Sequence, residues 1–216
     1  MKTLYPHPAP VLIILLGLLL TITQCTDLSG LDEGLAPVNE SEELALQSQE
    51  LTEDEISGIL FMREEEKLAR DVYLYLYELY PLRPFLNISK SEQAHMDAIK
   101  YLIDTYELED PVGENPPGVF QNEELQQLYD ELIEKGSKSR EEALKAGALI
   151  EEVDIIDLQT ELEETAINED VIRVFANLCS GSENHLKAFV RVLALYDVDY
   201  APELLDQEEF DRILEE

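Results

Sequence analysis

Basic residues are scarce in this chain, whose 216 residues include 15 lysines and arginines against 48 aspartates and glutamates. The resulting net charge of -33 argues against a nucleic-acid-binding protein, because that function needs a basic surface to neutralise phosphates. An acidic surface is compatible with cation binding, and its simplest effect is to keep the protein soluble. The composition is therefore compatible with a cation-binding function.

Tryptophan is absent, and the chain has only nine glycines and ten prolines. A β-rich fold, which needs frequent tight turns, is therefore not expected. The two cysteines, Cys25 and Cys179, lie far apart in very different sequence settings, so no disulfide framework is predicted. A chain of this length is sufficient for one domain of moderate size with tails.

An apolar run occupies residues 11–20, close to a positively charged N-terminus. It is short for a transmembrane span but typical of a signal-peptide core. The sequence Ile-Thr-Gln-Cys at 22–25 resembles a bacterial lipoprotein cleavage box, which implies lipidation of Cys25, although Gln24 stands where that box usually has a smaller residue. We expect residues 1–25 to be a signal peptide and the protein to be exported, as a cell-envelope lipoprotein or otherwise as a periplasmic or secreted protein.

Three further segments follow the signal peptide. Residues 26–50 are polar and acidic with no sustained hydrophobic period, which predicts a flexible tether. Thr52 and Glu55 form a capping box, the signature of a helix N-terminus, at the start of a domain predicted over 51–197. The remaining acidic tail, 198–216, is expected to hold one more short helix.

Helical spacing of apolar residues runs through the whole domain, and no strand pattern occurs in it. The predicted long helices are Thr52 to Pro81, 88–107, 139–164 and 169–195, with a short helix at 123–134. Pro81 and Pro84 are expected to end the first helix. The predicted fold is all-α, a ferritin-like four-helix bundle in which a long crossover with a short helix joins helices 2 and 3, so that these two run parallel.

Glu92 and His95 lie on the apolar face of the second predicted helix, three residues and therefore one turn apart. Polar side chains buried there must be paired, hydrogen-bonded or bound to metal, because unsatisfied burial costs about 2–7 kcal/mol. Glu-x-x-His on an inward helix face is also half of a carboxylate-bridged two-metal site in a four-helix bundle. This pair is the first candidate for a metal site.

Each of the other long helices also brings a carboxylate or an imidazole to the predicted interior. Glu152 has apolar residues one turn away on both sides, and the same test favours Glu65 on the first helix. His185 continues the apolar stripe of the fourth helix. The four helices together therefore predict a buried metal site.

Several segments resemble the ferritin-like superfamily, near its rubrerythrin and bacterioferritin members, and more closely a prokaryotic ferritin-like family of unknown function. The segments that carry the likeness are 62–73, 91–98, 115–120 and 182–189. The superfamily motif Glu-x-x-Ala-Arg-x-x-Tyr falls on Glu66 and ends at Tyr73, which favours Glu66 over Glu65 as the first-helix ligand. Both glutamates stay candidates, because the pattern of apolar neighbours favours Glu65.

The resemblance implies further ligands on helices 3 and 4. Helix 3 supplies Glu152, with Glu151 as its rival, and helix 4 supplies His185. The family pattern has a second Glu-x-x-His on helix 4, but this chain has Ser182 three residues before the histidine. A di-iron centre, a mononuclear or asymmetric site and a metal-free remnant therefore all remain open.

The function that the resemblance implies is that of a ferritin-like metal-binding protein of the cell envelope, in particular an iron-dependent oxidoreductase of peroxidase or ferroxidase type. Glutamate and histidine together suit iron, and also manganese or zinc. No Cys-x-x-Cys pair is present, so an electron donor would be a separate partner. The alternative is a non-enzymatic envelope domain that binds proteins or cations and keeps a degenerate site. The expected partners are metal ions and the membrane, and a homodimer is left open.

Overall fold

Residues 50–215 are described by the structure, a computed structural model. Within this range every regular element is helical, which confirms the predicted all-α class. The helices are α1 (Glu53–Leu79), α2 (Arg83–Thr105), α3 (Glu123–Gly136), α4 (Arg140–Thr160), α5 (Glu169–Ala194) and α6 (Gln207–Glu215), with a π-helical segment at Glu161–Thr165. The predicted signal peptide, Cys25 and nearly all of the predicted tether lie outside the described residues. Across the described range, no helix has the length and apolarity that a membrane span requires.

Helix α1 begins where the capping box predicts. The Thr52 hydroxyl accepts a hydrogen bond from the Glu55 backbone N–H, and the Glu55 carboxylate accepts one from the Thr52 backbone. The same carboxylate also accepts the backbone N–H groups of Ile167 and Asn168, at 2.8 and 2.6 Å. Glu55 therefore both starts α1 and holds the first turn of α5 against it.

Helix α2 begins earlier than predicted. Pro84 was expected to help end the first helix, but it lies in the first turn of α2, which starts at Arg83 rather than at residue 88. Proline is tolerated there because the first N–H groups of a helix have no intrahelical partner to lose. Only residues 80–82 therefore separate α1 from α2.

The long helices have the predicted directions. Tyr73, near the end of α1, donates a hydrogen bond to the carbonyl of Gly147 in α4, while Gly58, near its start, packs against Glu161, which follows α4. Helix α1 is thus antiparallel to α4, and it is antiparallel to α2 because their connection is so short. Helices α2 and α4 consequently run parallel, which confirms the predicted direction of the two helices that the crossover joins.

Buried charges on α1 hold the crossover in place. Lys67 donates to the carbonyls of Pro116 and Val119 at 3.0 and 3.1 Å and pairs with Asp71 at 2.7 Å. Glu64 accepts the backbone N–H groups of residues 121 and 122 at 2.6 and 2.9 Å. These charges are buried because they satisfy the polar backbone of a loop that has no helix of its own.

The C-terminal segment packs onto the bundle. Leu205, Phe210 and Ile213 are buried in the core, and Tyr200 packs against Phe210 at a ring-centroid distance of 6.1 Å. The short helix predicted in the tail is present as α6. Residues 198–215 therefore belong to the folded domain.

Candidate metal centre

Two groups of potential metal-binding side chains lie in the interior of the bundle. The first contains Glu66, Glu92 and His95, and the second contains Glu92, Glu151 and His185. Within each group, one donor atom from every residue lies within 4.8 Å of the others. The four long helices each contribute at least one of these residues, and Glu92 belongs to both groups.

Glu92 lies between the two histidines. One carboxylate oxygen, Oε2, is 2.9 Å from His95 Nδ1, and the other, Oε1, is 2.9 Å from His185 Nδ1. The imidazole rings lie nearly parallel, at an interplanar angle of 25° and a centroid distance of 5.4 Å. Glu92 therefore has the position of a ligand shared by two cations.

Each histidine nitrogen also faces a second carboxylate. Glu66 Oε2 is 3.1 Å from His95 Nδ1, and Glu151 Oε2 is 3.3 Å from His185 Nδ1. The other oxygen of Glu151 accepts a hydrogen bond from the Tyr73 hydroxyl at 2.5 Å. The arrangement is pseudosymmetric, since the α1–α2 pair and the α4–α5 pair each supply one outer glutamate and one histidine.

Several donor atoms at the centre are buried without a hydrogen bond. Glu66 Oε1, Glu92 Oε1 and His185 Nδ1 have no hydrogen-bond partner of acceptable geometry among the described residues. Glu92 Oε1 and His185 Nδ1 lie 2.9 Å apart as an ion pair without hydrogen-bond alignment, whereas Glu66 Oε1 is unpaired, which costs about 1–3 kcal/mol and needs a physical reason. A cation bound between them supplies it, and glutamate oxygens with histidine nitrogens suit iron, manganese or zinc.

Asp154 is a further buried carboxylate on α4, one turn beyond Glu151, that the sequence analysis missed. It is buried on α4, and its Oδ2 accepts a hydrogen bond from the hydroxyl of Ser182 on α5. Its other oxygen, Oδ1, has no partner within residues 50–215. Burial, followed by the charge of Glu151, raises the pKa of Asp154 to about 8. Asp154 thus places a carboxylate against Ser182, the position at which the family pattern has a glutamate on α5.

Glu152, which the sequence analysis ranked first on helix 3, belongs to neither group. Both of its oxygens accept hydrogen bonds from the C-terminal segment: the Tyr200 hydroxyl at 2.6 Å and the backbone N–H groups of residues 203–205 at 3.1, 2.7 and 2.9 Å. Adjacent residues on a helix point about 100° apart, so Glu151 faces the histidines while Glu152 faces the other buried side of α4. The rival, Glu151, takes the predicted place.

On α1 the structure brings Glu66, and not Glu65, to His95. Glu65 is also buried, but it belongs to neither group. Of the remaining predicted residues, Glu92, His95 and His185 converge as the sequence suggested. The i,i+3 spacing of Glu151 and Asp154 is a signal that the sequence contains for Asp154, since it places both side chains on one face of α4.

Contacts outside the two groups fix the imidazole rings. Ser91 Oγ lies 3.0 Å from His185 Nε2, which turns Nδ1 of that ring towards Glu92 and Glu151. Gly181 on α5 leaves room for His95, since a Cβ there would lie only 2.6 Å from the ring nitrogen Nε2. Both rings are therefore held with Nδ1 directed into the centre.

The electrostatics couple the histidines to Glu92. Burial opposes protonation of both rings, but the neighbouring carboxylates raise the pKa of His95 to about 11 and that of His185 to about 10. Burial alone would raise the pKa of Glu92, but its close ion pairs with His185 and His95 lower it to about 2. In the cation-free protein the two Nδ1 positions are therefore protonated, and a cation must displace these protons to bind.

Comparison with known proteins gives one consistent result. Residues 55–216 match the family model described as an uncharacterized protein domain, DUF2202. The uncharacterized protein MJ0754 of Methanocaldococcus jannaschii is 49% identical over 170 residues, which cover 79% of this chain and 91% of that protein. The crystal structure of hypothetical protein MJ0754 has a TM-score of 0.76 to this fold, with 49% identity, over 78% of this chain and 95% of the other.

Proposed function

Because the chain belongs to the DUF2202 family, whose description states no activity, we propose a function from the interior site: the domain is a ferritin-like protein that binds two divalent cations. The observation that carries this proposal is the position of Glu92, with one oxygen 2.9 Å from each histidine Nδ1. The parallel pair α2 and α4, joined by a crossover, supports a ferritin-like relationship. So does the supply of donors from all four long helices.

The charge at the centre favours two cations over one. Glu66, Glu92, Glu151 and Asp154 are four buried carboxylates, and the two imidazoles are neutral when they act as ligands. Four negative charges are balanced by two divalent cations, whereas a single cation would leave two charges uncompensated in a medium of low dielectric constant. Asp154 is needed for this balance, since Ser182 brings no charge.

We propose iron as the resident cation and an oxidoreductase of peroxidase or ferroxidase type as the activity. A pair of iron ions would supply two electrons for the reduction of dioxygen or a peroxide. Tyr73 orients Glu151 by donating to its Oε1, and Ser182 orients Asp154 by donating to its Oδ2. Such outer hydrogen bonds typically change metal affinity or activity by about 10–100-fold. The electrons that reduce the oxidised iron again would be supplied by a separate donor protein.

Oxidation of Fe(II) tests the activity. Wild-type protein loaded with Fe(II) under anaerobic conditions and then exposed to dioxygen should oxidise the iron faster than buffer does, as followed by ferric absorbance. Glu92→Gln should react at the buffer rate, because both groups lose their shared ligand. Tyr73→Phe should be slower than wild type by about tenfold.

Glu163→Gln, at an exposed position of the π-helical segment, serves as the control and should match wild type. A wild type that binds Fe(II) but oxidises it no faster than Glu92→Gln would support the alternative, a non-enzymatic cation-binding domain.

We also propose that the protein is exported and anchored through Cys25, which supports a role in the cell envelope. The apolar run at 11–20, which is followed by the cysteine, supports the proposed export and anchoring. Two or more acyl chains give stable membrane attachment, since each buried methylene contributes about 0.8 kcal/mol. A Cys25→Ser variant should shift from the membrane fraction to the soluble fraction on cell fractionation. An unchanged distribution would contradict the anchor.

A further inference from the structure

Four acidic side chains form a row, or file, between α1 and the end of α4: Asp154, Glu65, Asp157 and Glu161. Asp157 and Glu161 follow Asp154 at spacings of three and four residues, so the three share one helix face. Glu65 approaches the same face from α1. Exposure increases along the file, since Asp154 and Glu65 are buried while Asp157 and Glu161 are partly exposed.

The buried members of this file have carboxylate oxygens that no donor among the described residues satisfies. Both oxygens of Glu65, which is 2% exposed, lack a hydrogen-bond partner within the described part of the chain, as does Oδ1 of Asp154. The carboxyl group of Glu65 instead contacts that of Asp157, which is another acceptor when ionised. The two-cation centre uses neither Glu65 nor Asp157, so their burial side by side has no explanation in that site.

Gly58 leaves space for the Glu161 carboxylate at the outer end of the file, which is a separate observation from the unsatisfied oxygens. A Cβ at this position on α1 would lie 2.4 Å from Glu161 Oε2, too close for both to stay in place. Glu161 is the first residue of the π-helical segment Glu161–Thr165, and such segments occur frequently at functional sites. Its Oε2 is buried with no hydrogen-bond partner in the described range.

We propose that Asp154, Glu65, Asp157 and Glu161 form a path along which divalent cations pass between solvent and the two-cation centre. The path rests on the proposed function, since it delivers cations to that centre. Carboxylate oxygens replace the water ligands of a hydrated cation one after another, so the cation enters the bundle without losing all its ligands at once. The negative charges of the partly exposed Asp157 and Glu161, at the outer end, also raise the local cation concentration and the rate of entry.

The kinetics of Co(II) binding to the full-length protein separate a path from a ligand. A path changes rates and not the end state, so its removal should slow entry and exit together. The double variant Asp157→Asn/Glu161→Gln should bind Co(II) about tenfold more slowly than wild type, the lower end of the range for electrostatic steering. Release to EDTA should slow by the same factor, with stoichiometry and Kd unchanged.

Glu163→Gln/Glu164→Gln is the matched control. It removes the same amount of charge from the adjoining residues of the π-helical segment, but at exposed side chains, and should keep wild-type rates. Gly58→Ala gives a second test at unchanged net charge: it should also slow loading, because the added Cβ displaces the Glu161 carboxylate.

Three results would overturn the path. The first is wild-type rates in the Asp157→Asn/Glu161→Gln variant, which would place entry elsewhere, for example past the histidine rings. The second is equal slowing in the control, which would indicate only the general field of an acidic protein. The third is a lower stoichiometry in the path variant, which would make these residues ligands. Failure of the proposed function is distinct, because wild-type protein would then bind no Co(II) at all.

Discussion

Addition of Mn(II), Fe(II) or Zn(II) should raise the melting temperature of the wild-type protein strongly. Each filled site stabilises the fold by about 2.7 kcal/mol at a free concentration 100 times its Kd, so two independent sites give about 5 kcal/mol. In a domain of this size that gain corresponds to a shift of about 10–20 °C. The physical reason is the removal of repulsion between the buried carboxylates, which the two imidazolium rings only partly balance.

Variants at the centre should lose this gain in a graded way. Glu92→Gln should abolish it, since the shared ligand is lost from both groups, whereas His95→Ala should lose about the contribution of one site, about 2.7 kcal/mol. Glu163→Ala should keep the full shift. Thermal melts with and without each metal, followed by circular dichroism, measure all of these. If no metal shifts the wild type, the interior cluster is only a set of ion pairs and the proposed function is wrong.

The gain from metal should also grow as pH rises from 6 to 8. The folded pKa values of His95 and His185, about 11 and about 10, lie above the unfolded value of 6.5. Their contribution to the metal-free fold is therefore full below pH 6.5 and declines as pH rises towards 10–11. Asp154, raised to about 8 from 3.8, also destabilises the metal-free fold as pH increases over that range.

Glu92 acts in the opposite direction. Its folded pKa of about 2 lies below the unfolded value of 4.5, so its contribution is present above pH 4.5 and is lost as pH falls towards 2. Because Asp154 begins to lose its contribution above about pH 4, the metal-free protein should be most stable at about pH 4–4.5 and should lose stability as pH rises further. Metal binding becomes easier at higher pH because fewer protons compete for the histidines. A metal-induced shift that shrinks between pH 6 and 8 would contradict this account.

Replacement of Glu152 by alanine should destabilise the metal-free domain by about 3–5 kcal/mol. The variant leaves the N–H groups of residues 203–205 and the Tyr200 hydroxyl without their acceptor. It should also detach residues 198–215 from the bundle, which lowers the protection of α6 in hydrogen exchange. Urea unfolding of the metal-free protein measures the loss, and Glu163→Ala, exposed on the π-helical segment, should stay within about 0.5 kcal/mol of wild type.

The same Glu152→Ala variant should still bind metal. Below its lowered melting temperature it should take up the wild-type number of cations, because the carboxylate points away from both groups. Loss of metal binding with unchanged stability would instead restore Glu152 as a ligand, as the sequence analysis had predicted.

Local signals predicted most of the fold. The capping box at Thr52 and Glu55 located the start of α1, and the absence of a strand pattern indicated the all-α class. The length of the connection after the second helix predicted a crossover between parallel helices, which the contacts of Tyr73 and Gly58 bear out. Pro84 was misread because a proline can stop one helix or occupy the first turn of the next, and only the packing of α2 decides between these.

The direction of a candidate ligand could be predicted on a helix with one buried face, but not on a helix with two buried faces. On α2, Glu92 and His95 lie on a single apolar face, so their direction follows from the sequence. Helix α4 is buried on two sides, and the apolar neighbours of Glu152 could not distinguish the side facing the histidines from the side facing the C-terminal segment. Asp154 could not be assigned either, because its role depends on Ser182 lying opposite it on another helix.

The central claim is that Glu92 is shared by two cations, and the number of cations per chain tests it most directly. Metal-free protein is loaded with Mn(II) under anaerobic conditions, passed through a desalting column and analysed for metal and protein. We expect two cations per chain in the wild type and in Glu163→Gln, and less than one in Glu92→Gln. One cation per wild-type chain, or none, would contradict the claim.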